Sequence, residues 1–307
     1  MRRLIPISAL LCVAGYLTAT GVLAQNTPGP LAGAVDVHVH SYPDSQGRSL
    51  DSLEAVRQAK AAGMRAIAFK AHYDNTAPVA YIIRKVVPDI EVFGGIALNH
   101  SLGGVNAAAV ERLVLAQKFG GVGRVVYMPT TDAEHQLRFS KQNRPSVSIA
   151  KGGQLLPEAR TVIGLVAKHN LSLVTGHSSP AESLLIIQEA RKLGHQRIMV
   201  THPMNPAMSM SMAQMQEAAK MGAFLEITAR SVFQKLVPIS MYIDAIKKIG
   251  AQHFIMSSDL GQENSPVPVK GLTEFVSMLR GQGISQADID TMFRVNPARW
   301  LGLPPAK

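Results

Sequence analysis

The chain has 307 residues, a formal net charge of +10 at pH 7 and one cysteine, Cys12. Its lysines and arginines are scattered rather than gathered into a basic tract with interleaved aromatics, which argues against a nucleic-acid-binding protein. The positive balance fits mild attraction to anionic substrates or to an anionic cell surface.

In chain order, the first feature is a segment with the three parts of a secretion signal. Arg2 and Arg3 form a basic start, an apolar stretch runs from Leu4, and Val22-Leu23-Ala24 precedes Gln25 as a small-residue cleavage site. Residues 1–24 therefore read as a signal peptide, with the periplasm or the exterior as the destination. An uncleaved membrane anchor is the alternative, weakened by Pro6, Ser8, Thr18 and Thr20 within the apolar stretch. Cleavage after Ala24 removes two arginines and no acids, so the formal charge falls from +10 to +8. It also removes Cys12, which leaves no thiol or disulfide chemistry.

Residues 25–307 read as one domain, long enough for a complete core and divided by no linker or repeat. Short apolar runs alternate with amphipathic helical patterns. A first strand ends in His38-Val39-His40, and a helix follows from Leu50 to Ala62. Further strands are expected at Arg65–Phe69, Glu91–Leu98, Val122–Tyr127, Leu171–Thr175, Arg197–Thr201, Ala223–Ile227 and His253–Ser257. Helices are expected between them, at Val105–Phe119, Glu158–His169, Ala181–Leu193 and Pro238–Ile249 among others. Eight strand-helix units in a chain of this size predict an α/β fold, a (β/α)8 TIM barrel. A doubly wound open sheet is the competing architecture, and no glycine-rich phosphate fingerprint follows the first strand to favour it.

The polar residues fall at strand ends. His38, His40, Lys70, His72, His100, His177, His202 and Asp259 all lie at or just beyond expected strand C-termini, which converge on the active face of a barrel. His38 and His40 are two apart on a strand and so share a face, where a divalent cation is the natural group to lie between two imidazoles. His169 and His253 precede strands and His195 follows a helix, so these three read as ordinary solvated or capping residues.

This pattern resembles the amidohydrolase superfamily: HxH on the first strand, a histidine after the fifth, another after the sixth, and an aspartate after the eighth. The ending Asn296-Pro297-Ala298-Arg299-Trp300-Leu301-Gly302-Leu303 also resembles the endings common there. The resemblance covers nearly the whole chain after the signal. It implies a metal-dependent hydrolase in which His38, His40 and Asp259 hold one metal. His177 completes that site if it is mononuclear, leaving His202 to polarise water or substrate. If it is binuclear, His177 and His202 hold a second metal. Activated water would then attack an amide, lactone or ester, or phosphoester bond, with Asp259 as proton shuttle. Zinc is the default for such donors, with manganese or iron as alternatives.

The sequence departs from that pattern at the end of the fourth strand, where Tyr127-Met128-Pro129-Thr130 offers no lysine or glutamate to bridge two metals. Lys70 is therefore read as an ammonium that binds a substrate carboxylate or phosphate, with a bridging carbamate as the alternative. His72, Asn99 and His100 are expected as substrate contacts or supports of the ligands, or as rim residues. Glu226 reads as a buried hydrogen-bonding partner, and Asp36 as polar packing or as a support for a metal-bound histidine. Met204, Met208, Met210, Met212 and Met215 suit a core or adaptable pocket better than copper. The long connection from Met128 to about Leu156 carries Asp132, His135, Arg138, Lys141, Arg144 and Lys151, and reads as a basic lid or as a disordered surface excursion. A metal-dependent decarboxylase and a non-catalytic metal- or ligand-binding barrel are the competing functions. The expected partner is a small molecule, with no nucleic acid and no stable membrane insertion, and a homo-oligomer fits the fold class.

Overall fold

The computed structural model describes residues 29–305. The signal-like segment 1–24, with Cys12 and the Ala24 cleavage site, lies outside the described residues. In chain order the elements begin β1 (Val35–Val39), α1 (Ser52–Ala61), β2 (Ala66–Phe69), α2 (Ala77–Val86), β3 (Glu91–Ala97), α3 (Ala107–Gln117) and β4 (Gly123–Tyr127). Next come α4 (Glu134–Phe139), β5 (Ala150–Lys151), β6 (Gln154–Leu155), α5 (Pro157–Lys168), β7 (Ser172–Val174), α6 (Pro180–Lys192) and β8 (Ile198–Val200). The last are α7 (Met212–Lys220), β9 (Phe224–Thr228), α8 (Ala229–Phe233), α9 (Ile239–Ile249), β10 (Phe254–Ser257), α10 (Pro268–Gly281), α11 (Gln286–Asp290) and α12 (Asn296–Leu301).

Eight parallel strands form one sheet in the order β1-β2-β3-β4-β7-β8-β9-β10, and β5 and β6 form a separate small antiparallel pair. This is the (β/α)8 barrel, with each strand buried on both faces as parallel strands packed by helices must be. Helix starts follow local chemistry. Asp51 caps α1 by accepting from Glu54 N, and Ser179 and Ser211 form capping boxes with Glu182 and Gln214.

Two apolar layers hold the barrel. One lies between strands and helices. The other fills the interior with Val35, Val37, Ala66, Phe93, Val125 and Met199, and α12 closes its lower end with Ala298, Trp300 and Leu301. Asn296 fastens α12 by donating to the carbonyls of Ala251 and Phe254 at 3.1 and 2.7 Å.

The seam between β1 and β10 closes at the residues of interest. Asp259 N donates to the His38 carbonyl and His40 N to the Leu260 carbonyl, each at 2.9 Å. Gly261 makes this approach feasible: its φ is +116° and a Cβ there would overlap the His40 carbonyl oxygen.

Candidate metal centre

β1 carries a bulge between Asp36 and Val39, and both His38 and His40 direct their rings to the C-terminal mouth of the barrel. Asp259 follows β10 in a left-handed conformation, with φ of +50°. Its Oδ1 lies 3.2 Å from His38 Nε2 and 3.1 Å from His40 Nε2. Two ligands each about 2.0–2.1 Å from a tetrahedral ion stand about 3.3 Å apart, so these spacings suit a shared cation. Three donors of the right kind, all buried, converge here. Among their atoms, His38 Nε2, His40 Nδ1 and Asp259 Oδ2 are buried without a hydrogen-bond partner. Imidazole nitrogens and a carboxylate with spare lone pairs fit a divalent ion.

His177 and His202 reach the same space from the ends of β7 and β8. Gly176, with φ of +68°, packs so tightly on Met128 and Pro129 that a side chain would collide with their carbonyls, and His177 N donates to the Pro129 carbonyl at 2.9 Å. Both His177 ring nitrogens and His202 Nδ1 are buried without partners. Ring centroids run 5.2 Å from His38 to His40, 5.4 Å to His72, 5.9 Å to His177, 5.2 Å to His202 and 6.3 Å back to His38. Five imidazoles thus encircle one opening.

Burial sets their charge. It pushes His40 down to about 3 and His202 to about 4 despite the nearby carboxylates, and holds His72 and His177 well below the usual imidazole range. At neutral pH these rings are unprotonated and their lone pairs are free to bind metal. Burial alone would raise Asp259, but His38, His40 and Arg230 hold it well below the usual carboxylate range.

Glu226, wholly buried on β9, supports the ligands from beneath. Its Oε1 stands 2.8 Å from His38 Nδ1 and accepts from Ser257 Oγ at 2.7 Å, while Oε2 accepts from His202 N at 3.1 Å. Burial works against its charge, but His38 and His202 outweigh it and bring its pKa down to about 2. The carboxylate directs the His38 proton to Nδ1 and leaves Nε2 to face Asp259. Asp36 acts on the backbone instead, accepting from His38 N at 3.2 Å and Ser258 N at 2.9 Å.

The remaining expected residues divide. Lys70 and His72 line the cavity above the histidines, which measures about 580 Å³. Lys70 Nζ lies 5.4 Å from the Tyr127 ring centroid, and burial brings its pKa down to about 8 although Asp259 and Glu226 oppose the fall. His72 Nδ1 is 2.9 Å from Thr130 Oγ1. Asn99 and His100 do not line the cavity. Asn99 spends its amide on the His72 carbonyl and Thr130 Oγ1, each at 2.7 Å, and accepts from Thr130 N at 2.8 Å. His100 is exposed and turned toward the Pro145 carbonyl at 3.1 Å, so both are loop fasteners rather than substrate contacts. His195 is buried at the opposite end, not solvated. Met204, Met210 and Met215 are buried packing residues, and Met208 is buried in the cavity wall.

The connection expected as a basic lid carries α4 and the β5–β6 pair, and α4 sits over the mouth through Gln136 and Phe139. Two of its four lysines and arginines are paired internally: Arg144 with Asp132, and Arg138 with Glu134 at 2.5 Å. His135 Nε2 bonds the Ala207 carbonyl at 2.6 Å, which ties the segment to the loop after β8.

Sequence reasoning missed Arg230, Arg48 and Gln262, all of which line the cavity. Arg230 was within reach of the same rule that found Asp259, since it lies two residues beyond β9. Arg48 and Gln262 belong to loops and carry no periodic signal.

Solved structures share this (β/α)8 barrel. The chain resembles an amidohydrolase from Pseudomonas aeruginosa (TM-score 0.61, 13% identity, covering 89% of this chain and 98% of that one). It also resembles the phosphotriesterase homology protein from Escherichia coli, solved with phosphate in its active site (TM-score 0.58, 15% identity, 88% and 99% covered). A third likeness is to 2,6-dihydroxybenzoate decarboxylase in complex with 2,6-dihydroxybenzoate (TM-score 0.54, 16% identity, 89% and 100% covered). At these identities the likeness is one of fold. By sequence, residues 33–226 match the model of a family of unknown function, DUF6282, and the chain belongs to that family. A search of curated proteins found no match.

Proposed function

We propose that this protein is a metal-dependent hydrolase of the amidohydrolase type, exported by its N-terminal segment. The observation that carries the reading is the placement of Asp259 Oδ1 within 3.2 Å of two imidazole nitrogens at the mouth of a barrel cavity. His38, His40 and Asp259 would hold a divalent ion, zinc by donor type, with His177 completing a single site or joining His202 at a second. The ion would supply a water of lowered pKa and polarise the scissile carbonyl or phosphoryl oxygen.

The chain's own groups do the rest. Asp259 Oδ2 accepts the proton of the attacking water and returns it to the leaving group. His202, neutral at physiological pH, faces the reacting oxygen from across the cavity. Glu226 keeps the His38 ring in one tautomer. The α4 segment covers the mouth and limits access of bulk water.

The metal-loaded protein should hydrolyse a member of a panel of lactones, aryl esters, N-acyl amino acids and phosphoesters, with uptake of heavy oxygen from labelled water. Asp259→Asn should lower kcat by about two to four powers of ten. A second reading, metal-dependent decarboxylation, is favoured by Lys70, an ammonium facing the cavity. Carbon dioxide release without incorporation of solvent oxygen would select it.

A further inference from the structure

Four cationic side chains line the cavity, and they are not equivalent. Arg48 donates to Asp44 at 2.6 and 3.0 Å, and Arg144 pairs with Asp132, so each has its own carboxylate. Lys70 has none, and Arg230 has only a loose ion pair with Asp259. Lys70 is buried and makes no hydrogen bond through Nζ to any described residue. Arg230 Nε is buried without a partner, and its nearest carboxylate oxygen, Asp259 Oδ2, stands 3.7 Å from Nη1. Among the described residues lining the cavity, Asp259 is the single carboxylate, and it is engaged by His38 and His40.

Their backbones are anchored to the metal centre. Lys70 N donates to the carbonyl of Val39, between the two β1 histidines, at 2.9 Å. Arg230 N donates to the carbonyl of Ser258, the neighbour of Asp259, at 3.1 Å. Leaving the buried Lys70 cation unpaired is costly, and a divalent ion beside it increases the cost. A ligand with its own negative charge offsets both. Apolar surface from Phe139, Met208 and Leu236 faces the same space and suits a hydrocarbon body.

We propose that Lys70 and Arg230 form a carboxylate clamp, so that the substrate is an organic acid whose carboxylate lies beside the bond to be cleaved. This rests on the hydrolase reading for its catalytic meaning, but the clamp itself is testable without turnover. Arg230 supplies a planar pair of donors from beyond β9 and Lys70 a point charge from the end of β2.

The probes are benzoate and benzamide, close in size and different in charge, titrated calorimetrically into the metal-loaded protein and into the His38→Ala/His40→Ala variant. Benzoate should bind about ten-fold or more tightly than benzamide in both, because a charge-assisted pair is worth about 1.5–3 kcal/mol. Lys70→Met and Arg230→Gln, each checked for native near-ultraviolet dichroism, should each lose about ten-fold in benzoate affinity and leave benzamide unchanged. Equal affinity for the two probes would overturn the clamp. So would benzoate binding that disappears with the metal ligands but survives both cation substitutions. Failure of the metal reading alone would leave the preference for benzoate intact in the histidine variant.

Discussion

Glu226→Gln is the sharpest probe of how the centre is held. The carboxylate receives three hydrogen bonds, from His38 Nδ1 at 2.8 Å, Ser257 Oγ at 2.7 Å and His202 N at 3.1 Å. A glutamine keeps the shape but has one acceptor oxygen. If that oxygen serves His38 and Ser257, its amide nitrogen opposes the His202 N–H donor-to-donor, and if it turns over, His38 loses its partner. Either way one buried donor is orphaned, at about 1–3 kcal/mol, and the negative charge beside the His38 ring is lost. Substitutions at supports of this kind weaken metal binding by about 10–100-fold, which is about 1.4–2.7 kcal/mol. Competition against a chromogenic zinc chelator at neutral pH measures the change, with chelator-treated protein melted in parallel to separate affinity from folding. An unchanged zinc dissociation constant would refute the role given to Glu226.

Gly261→Ala should lower stability by at least about 2 kcal/mol, because a Cβ at this left-handed position overlaps the His40 carbonyl at the barrel seam. A melting temperature within about 1 °C of the parent would contradict that. Asn99→Ala should cost about 2–4 kcal/mol, since it orphans several buried groups. It should leave metal content unchanged, because Asn99 does not line the cavity. The metal-free protein should lose stability as pH falls from 7.5 to 5.5. The unfolded imidazole takes its proton near 6.5, whereas folded His40 and His202 wait until about 3 and about 4. Each therefore removes about 1.4 kcal/mol over that interval. Asp36, raised by burial to about 6, contributes in the opposite sense, since its stabilisation grows as pH falls through that value. The net loss is about 2 kcal/mol, with His72 and His177 adding to it. Urea unfolding at the two pH values checks the sign.

The barrel was legible because its strands are buried on both faces and so read as short apolar runs separated by helices, some with readable caps. Strand ends differ from expectation by about a residue, as with β9, which starts at Phe224 and runs to Thr228. The candidate residues came together for the same geometric reason: His38 and His40 stand at the end of β1, while His177, His202 and Asp259 follow β7, β8 and β10. What sequence could not supply was the direction of side chains on loops. Asn99 and His100 also follow a strand, yet the turn at Gly103 and the bonds to Thr130 and Pro145 carry them away from the cavity. The 128–156 segment keeps its basic excess, but folding pairs Arg144 with Asp132 and Arg138 with Glu134, which sequence alone did not show. Arg230 and Glu226 gained their meaning from contacts across about thirty residues or more, to Asp259 and His38.

The central claim is that His38, His40 and Asp259 form a metal centre. Metal content by inductively coupled plasma mass spectrometry, on protein purified without chelators or an affinity metal column, tests it most directly, with His38→Ala/His40→Ala alongside. The account predicts about one or two equivalents of a transition metal in the wild type, lost in the variant. A wild type that is metal-free and also fails to take up added zinc or manganese would contradict it.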